Sequence, residues 1–158
     1  MPRSARVTFE NGCYHIITRG NQKQKVFLES QDYRKYIKTL SKYKQRYKFK
    51  LYAFCLMPNH VHMIMEIAQA LDLIKTMHGL NLSYTLYFNT KYDKVGHLWQ
   101  DRYKSKILYK DTYLLECVSY IENNPVRANI VANIDDYLWS SYKLRKDNNP
   151  LVDSVFTL

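Results

Sequence analysis

Two histidines one residue apart, His60 and His62, sit inside the otherwise apolar run Met57-Pro58-Asn59-His60-Val61-His62-Met63-Ile64-Met65. In a strand successive side chains point to opposite faces, so the two imidazoles share a face with Ile64 and Glu66, while Val61, Met63, Met65 and Ile67 make the other face apolar. Neutral imidazoles side by side can ligate a divalent cation, and imidazole suits several metals. Alone, His-x-His reads as a chance pair on a half-buried strand. A second constellation changes that reading: Ser119-Tyr120-Ile121-Glu122-Asn123-Asn124-Pro125-Val126-Arg127-Ala128. On a helix of 3.6 residues per turn Tyr120 and Asn124 lie about 40° apart on one side, flanking the apolar stripe. A phenol activated by a nearby cation or base can be a nucleophile, and the amide oxygen of Asn124 can be a third metal ligand. Taken singly, the plainer readings are a ring whose hydroxyl meets water and a polar residue that closes a helix before Pro125.

Both constellations must be positioned by one folding unit. The 158 residues suffice for one domain with a real core and are too few for two comfortable ones; we expect a single domain over residues 1–145 and a loosely held tail over 146–158. Lysine and arginine number 24 against 14 acidic residues, a net charge of +10. In a soluble protein such an excess points to a polyanionic partner, nucleic acid first. Fifteen tyrosines within a 15% aromatic content supply rings that can stack on bases, although most such rings pack. Cys13, Cys55 and Cys117 are widely spaced in apolar segments, which fits neither a disulfide framework nor a Cys-x-x-Cys metal site and suits a reducing cytoplasm. The charged start Met-Pro-Arg-Ser-Ala-Arg has no apolar run behind it, and no run is long enough to span a bilayer, so no membrane association is expected.

Residues 13 to 19 are β-branched and aromatic between Asn11-Gly12 and Gly20-Asn21, which predicts a first strand. Ser30-Gln31-Asp32 can cap a helix to about Tyr47, with Tyr33, Tyr36, Ile37, Leu40 and Tyr43 as its stripe and a basic exposed face. Phe49 to Met57 is a second strand, joined through Pro58-Asn59 to the histidine strand as an antiparallel hairpin. From Ala70 to Tyr92 the stripe Leu73, Met77, Leu80, Tyr84, Tyr87 and Phe88 predicts a long helix with Gly79 as a weak point. Basic and aromatic residues alternate from Leu98 to Lys106, a strand finishes at Tyr109, and Asp111-Thr112 caps a short helix with the stripe Leu114, Cys117, Val118 and Ile121, ended by Pro125. The order β-α-β-β-α-β-α predicts an α+β fold, an antiparallel sheet of about four strands sandwiched with helices, ferredoxin-like or RRM-like.

These residues resemble a family: the single-tyrosine transposases of the HUH class, as in IS200/IS605 elements, and more closely the REP-associated tyrosine transposases. His60-Val61-His62 is similar to the HUH motif, and Tyr120 to Ala128 looks like the tyrosine motif of the REP-associated branch. Tyr14-His15, Thr18-Arg19-Gly20-Asn21 with Phe27, the segment Trp99 to Ser105, and Trp139-Ser140-Ser141-Tyr142 match that branch in order. The resemblance implies an HUH endonuclease fold and a metal-dependent enzyme that nicks and joins single-stranded DNA at hairpin or REP-like sequences. It implies that His60 and His62 bind Mg²⁺ or Mn²⁺, and that Tyr120 attacks the scissile phosphorus, leaving a 5′-phosphotyrosine and a 3′-OH. The IS200/IS605 branch carries a glutamine four residues after the tyrosine as third ligand. The shorter Asn124 stands there in this chain, with Glu66 and Glu122 as alternatives.

For DNA binding the expected residues are Arg19, Lys23, Lys25, Arg102, Lys104 and Arg127, with Trp99 and Tyr103 as stacking rings beside Arg102. A homodimer and a monomer fit the charge and stripe pattern equally. Two other functions fit the same residues: a non-catalytic RRM-like nucleic-acid-binding module, and a metal nuclease that uses water.

Overall fold

A computed structural model describes residues 9–110 and 112–155, and within them the chain alternates strands and helices as the hydrophobic periods require. Strand β1 (Gly12–Arg19) leads to helix α1 (Ser30–Tyr47), the hairpin β2 (Lys50–Met57) and β3 (His60–Ile67), helix α2 (Ala70–Tyr92), strand β4 (Lys104–Leu108) and helix α3 (Thr112–Glu122). Two short helices follow, α4 (Asn124–Arg127) and α5 (Ser141–Lys146). The sheet is wholly antiparallel with order β2-β3-β1-β4, so the histidine strand is central and β2 and β4 are edges. Asp111, expected to cap α3, lies outside the described residues.

The pleat divides the molecule into two cores. Tyr14 and Ile16 of β1 share a face with Val61, Met63, Met65 and Ile67 of β3, and α1 and α2 cover that face with Tyr36, Leu40, Leu73, Met77, Leu80, Tyr84 and Phe88. The other face carries Cys13, Ile64 and Cys55, and is covered by Leu114, Val118 and Ile121 of α3 together with Tyr137. Helices therefore lie on both sides of the sheet, and α3 lies on the histidine side. None of the three cysteines forms a disulfide.

Local expectations are modified in three places. The α1 cap is Glu29, one residue before the expected start, and buried Asp32 accepts from the backbone N–H groups of Leu28 (2.9 Å) and Glu29 (3.2 Å). Gly79 is less a weak point than a contact: a Cβ there would run into the ring and hydroxyl of Tyr43, so its absence lets α1 and α2 approach. Pro125 does not end the helical run. It occupies the first turn of α4, where a missing N–H costs nothing, and Asn124 is helical despite preceding it.

The segment after residue 146 is bound more firmly than a loose tail through residue 155. Asp153 accepts from the Leu51 N–H (2.8 Å), donates its own N–H to the Leu51 carbonyl (2.8 Å) and pairs with Lys44 (2.7 Å). Trp139 and Ser140 meet Leu56 and Cys55, so the outer edge of β2 is covered at both ends. Covering an edge satisfies backbone groups that would otherwise invite another strand. Among the described residues no helix is long and apolar enough to cross a membrane.

Candidate active site

Register determines which side chains meet on the histidine face. Across β1 and β3, Arg19 opposes His60, Ile17 opposes His62 and His15 opposes Ile64. Across β1 and β4, Ile17 opposes Lys104 and His15 opposes Lys106. Directly opposed residues in an antiparallel pair point to the same side, so His60, His62, His15, Arg19, Lys104 and Lys106 occupy one surface. Three imidazoles and three cations are thus set on a rigid sheet.

The histidines are held by their Nδ1 atoms. His60 Nδ1 donates to Asn59 Oδ1 at 2.7 Å, and His62 Nδ1 lies 3.0 Å from His15 Nε2 with one ring donating to the other. The His60 and His62 ring centroids are 5.0 Å apart. Among the described residues neither Nε2 has a hydrogen-bond partner, and metal-ligating histidines are commonly oriented through their second nitrogen in this way. Burial and neighbouring positive groups favour the neutral form of all three rings. His62, only 7% exposed, titrates at about 3, first because burial penalises its charge and then because His60, His15, Arg19 and Arg127 are near. Burial and Arg19 lower His60, and burial and Lys106 lower His15. A neutral imidazole is the form that binds a metal.

Tyr120 is 58% exposed on α3, the helix that lies across this face. A cleft of about 520 Å³ opens beside it, lined by Tyr120, Tyr113, His15, Lys104, Ser105 and Lys106. His60 and His62 are outside that lining, and His62 is joined to it through His15. The guanidinium of Arg127 sits 3.7 Å from the Tyr120 ring centroid and donates from Nη2 to the Tyr120 carbonyl at 2.6 Å. Seven residues span about two helical turns, so the continuation of α3 into α4 places a cation over the phenol.

A family model described as "Transposase IS200 like" matches residues 8–124, a stretch that includes β1, the histidine pair and Tyr120. The chain belongs to the IS200-like transposase family. It is 30% identical over 116 residues to a REP-associated tyrosine transposase of Haemophilus influenzae, a match that covers 65% of this chain and 65% of that relative's length. Among solved structures, it resembles a REP-associated tyrosine transposase bound to a REP hairpin, at TM-score 0.76 and 18% identity, covering 100% of this chain and 92% of the other. It also resembles a transposase from Deinococcus radiodurans R1, at TM-score 0.50 and 18% identity, covering 77% of this chain and 97% of the other. These likenesses establish the α+β fold with its four-stranded antiparallel sheet.

Within this transposase fold the expected site residues separate. Arg19 and Lys104 are exposed on the histidine face, Arg127 is exposed over Tyr120, Lys23 and Lys25 are exposed after β1, and Arg102 is exposed before β4. Trp99 and Tyr103 are not stacking rings. They are 8% and 7% exposed and belong to the core under α1 and α2, where Trp99 meets Tyr36 and Tyr84 and donates to the Asn81 carbonyl at 3.3 Å. Both alternative carboxylates are engaged elsewhere: Glu66 pairs with Lys110 and accepts from the Tyr52 hydroxyl, and buried Glu122 pairs with Arg145 and accepts from Ser141. Asn124 is half-buried, and its side chain makes no hydrogen bond to the described residues. Among those residues no group of three or more His, Cys, Asp or Glu gathers as a metal site. His15 was missed as a site residue, because its place beside His62 depends on pairing between strands forty-seven residues apart.

Proposed function

We propose that this protein nicks and rejoins single-stranded DNA beside hairpin structures, using Tyr120 as nucleophile and a divalent cation held by His60 and His62; a REP hairpin is bound in one solved structure of the same fold. One observation carries the reading: Tyr120 shares a cleft with His15, and His15 is hydrogen-bonded to His62. Two imidazoles leave positions open for water, phosphate oxygen and the Asn124 amide, a mixed nitrogen and oxygen set that suits Mn²⁺ better than Mg²⁺, which prefers an all-oxygen shell. When bound, the cation would polarise the scissile phosphate and offset charge that develops during transfer.

The protein's own groups do the rest. Lys104, Lys106 and Arg127 bind phosphate oxygens along the cleft and fix the backbone for in-line attack, which is most of what phosphoryl transfer requires. The Tyr120 hydroxyl oxygen bonds to phosphorus as the bond from phosphorus to the 3′-oxygen breaks. The phenol gives up one proton and the departing 3′-oxygen takes up one, leaving a 3′-OH and a 5′-phosphotyrosine. Rejoining is the reverse attack by a 3′-OH, and no nucleotide hydrolysis is needed. A non-catalytic RRM-like module would need exposed rings on the sheet for base stacking; Trp99 and Tyr103 are instead buried on the other side.

Tyr120→Phe removes only the hydroxyl of an exposed ring, so folding and hairpin binding should persist while cleavage stops. With a 3′-labelled hairpin oligonucleotide the wild-type protein should carry the label on a denaturing gel. A labelled adduct of equal yield from the phenylalanine variant would remove Tyr120 as the nucleophile, and unattached products from both would point to water on the metal.

A further inference from the structure

We propose that His15 is a positioning residue for the metal pair, holding His62 through its Nδ1 in the tautomer and ring orientation that turn Nε2 toward the cation. The inference rests on the metal reading above. Its starting observation is the 3.0 Å contact between His15 Nε2 and His62 Nδ1, made by rings with centroids 5.3 Å apart and inclined by 30°. Such a contact between two neutral rings holds one proton, so one nitrogen donates and the other accepts.

The two arrangements of that proton differ in consequence. With the proton on His62 Nδ1, the ring keeps its lone pair on Nε2 and can ligate; His15 then accepts on Nε2 and carries its own proton on Nδ1. With the proton on His15 Nε2, His62 accepts on Nδ1, carries its proton on Nε2 and is closed to a cation. The first arrangement, in which His15 acts as acceptor, is the one competent to bind a cation, and the inference requires that it already prevail in the metal-free protein. His60 differs, because the Asn59 oxygen can only accept and so fixes the ring at once. The contact is also built by the fold: His15 opposes Ile64, two residues along from the Ile17 and His62 pair, so the two rings meet diagonally on one face of the central strands.

His15 has a second position of interest, since it lines the cleft that holds Tyr120. A single side chain thus joins the nucleophile's cleft to the histidine pair, and a shift of His15 would misplace one relative to the other. His15 is not itself assigned as a ligand, because the Nε2 that would serve is already directed at His62.

The test uses the full chain and two readouts besides activity. In metal-free protein labelled with ¹⁵N-histidine, NMR should find the His62 proton on Nδ1 in wild type, and this preference should disappear in His15→Ala. Titration calorimetry with MnCl₂ should show affinity reduced about 10- to 100-fold in His15→Ala and largely recovered in His15→Gln, whose amide oxygen can accept from the same nitrogen. Unchanged Mn²⁺ affinity in His15→Ala would overturn the inference, as would a wild-type His62 proton on Nε2. The glutamine variant and the wild-type spectrum decide the matter even if the alanine variant fails to fold. Absence of Mn²⁺ binding by wild type would overturn the metal reading and this inference together, whereas unchanged affinity in His15→Ala with loss in His60→Ala would overturn only this one.

Discussion

In the proposed metal site His60 and Asn124 would stand in different relation to a cation, and the difference can be measured. His60 offers a nitrogen oriented by Asn59, while the Asn124 amide makes no hydrogen bond to the described residues and is a weaker donor that water can replace. Ligand binding to the native state alone raises stability by about 2.7 kcal/mol at a hundred times Kd. The Mn²⁺-induced rise in Tm should vanish in His60→Ala, shrink in Asn59→Ala and shrink least in Asn124→Ala; equal loss in the last would make the amide a full ligand. The histidine pair was legible from strand alternation alone. His15 was not, since alternation says which residues of one strand share a face and nothing of the register with another strand. Trp99 shows the converse failure: basic and aromatic residues alternate in the sequence whether the rings stack on bases or fill a core. Trp99→Ala should therefore cost about 3 kcal/mol through its cavity, read as a fall in urea midpoint, while the folded variant keeps its DNA affinity.

At the scale of elements, α1 and α2 are locked by a buried carboxylate that periodicity could not reveal. Asp32 is fully buried at the start of α1 and receives the Tyr87 hydroxyl (2.8 Å), Lys91 (2.8 Å) and the Tyr92 hydroxyl from the last turns of α2. Burial alone would raise its pKa, but hydrogen bonds from Lys91, Tyr92, the Leu28 N–H and Tyr87 outweigh it and leave the carboxyl below its ordinary 3.8. A carboxyl depressed in the folded state adds stability that is complete above the unfolded value and lost as pH falls through the folded one. The Tm of the wild type should thus drop below about pH 3.8, and Asp32→Asn should lower Tm at pH 7 and flatten that part of the acid profile. Removing one partner of a buried charge network costs about 3 kcal/mol, and a pH 7 loss well under that would mean the tyrosines and Lys91 find water instead. The helices themselves were legible because their stripes repeat at 3.6 residues. The ordered segment to residue 155 was not, because its hold depends on Asp153 and Lys44 meeting the edge of β2 rather than on an apolar stripe.

For the whole molecule, the net charge is +10, and among the described residues exposed lysines and arginines lie on both sides of the sheet, only some of them beside the cleft. Arg19, Lys104, Lys106 and Arg127 surround the histidine face and Tyr120, whereas Lys38 and Lys42 are exposed on α1 across the sheet from them. Each phosphate neutralised on a single strand releases counterions and adds about −0.7 to the slope of log K against log salt. If both cleft lysines contact phosphates, Lys104→Ala with Lys106→Ala should make that slope shallower by about 1.4, and lower affinity at every salt concentration. Lys38→Ala with Lys42→Ala removes the same formal charge and should leave the slope within error, because charges more than a Debye length of about 8 Å away are screened at physiological salt. Fluorescence anisotropy with a labelled hairpin carrying a single-stranded foot measures both. Equal slope changes from the two pairs would place DNA on the α1 side as well, and no change from either would remove the cleft as its path.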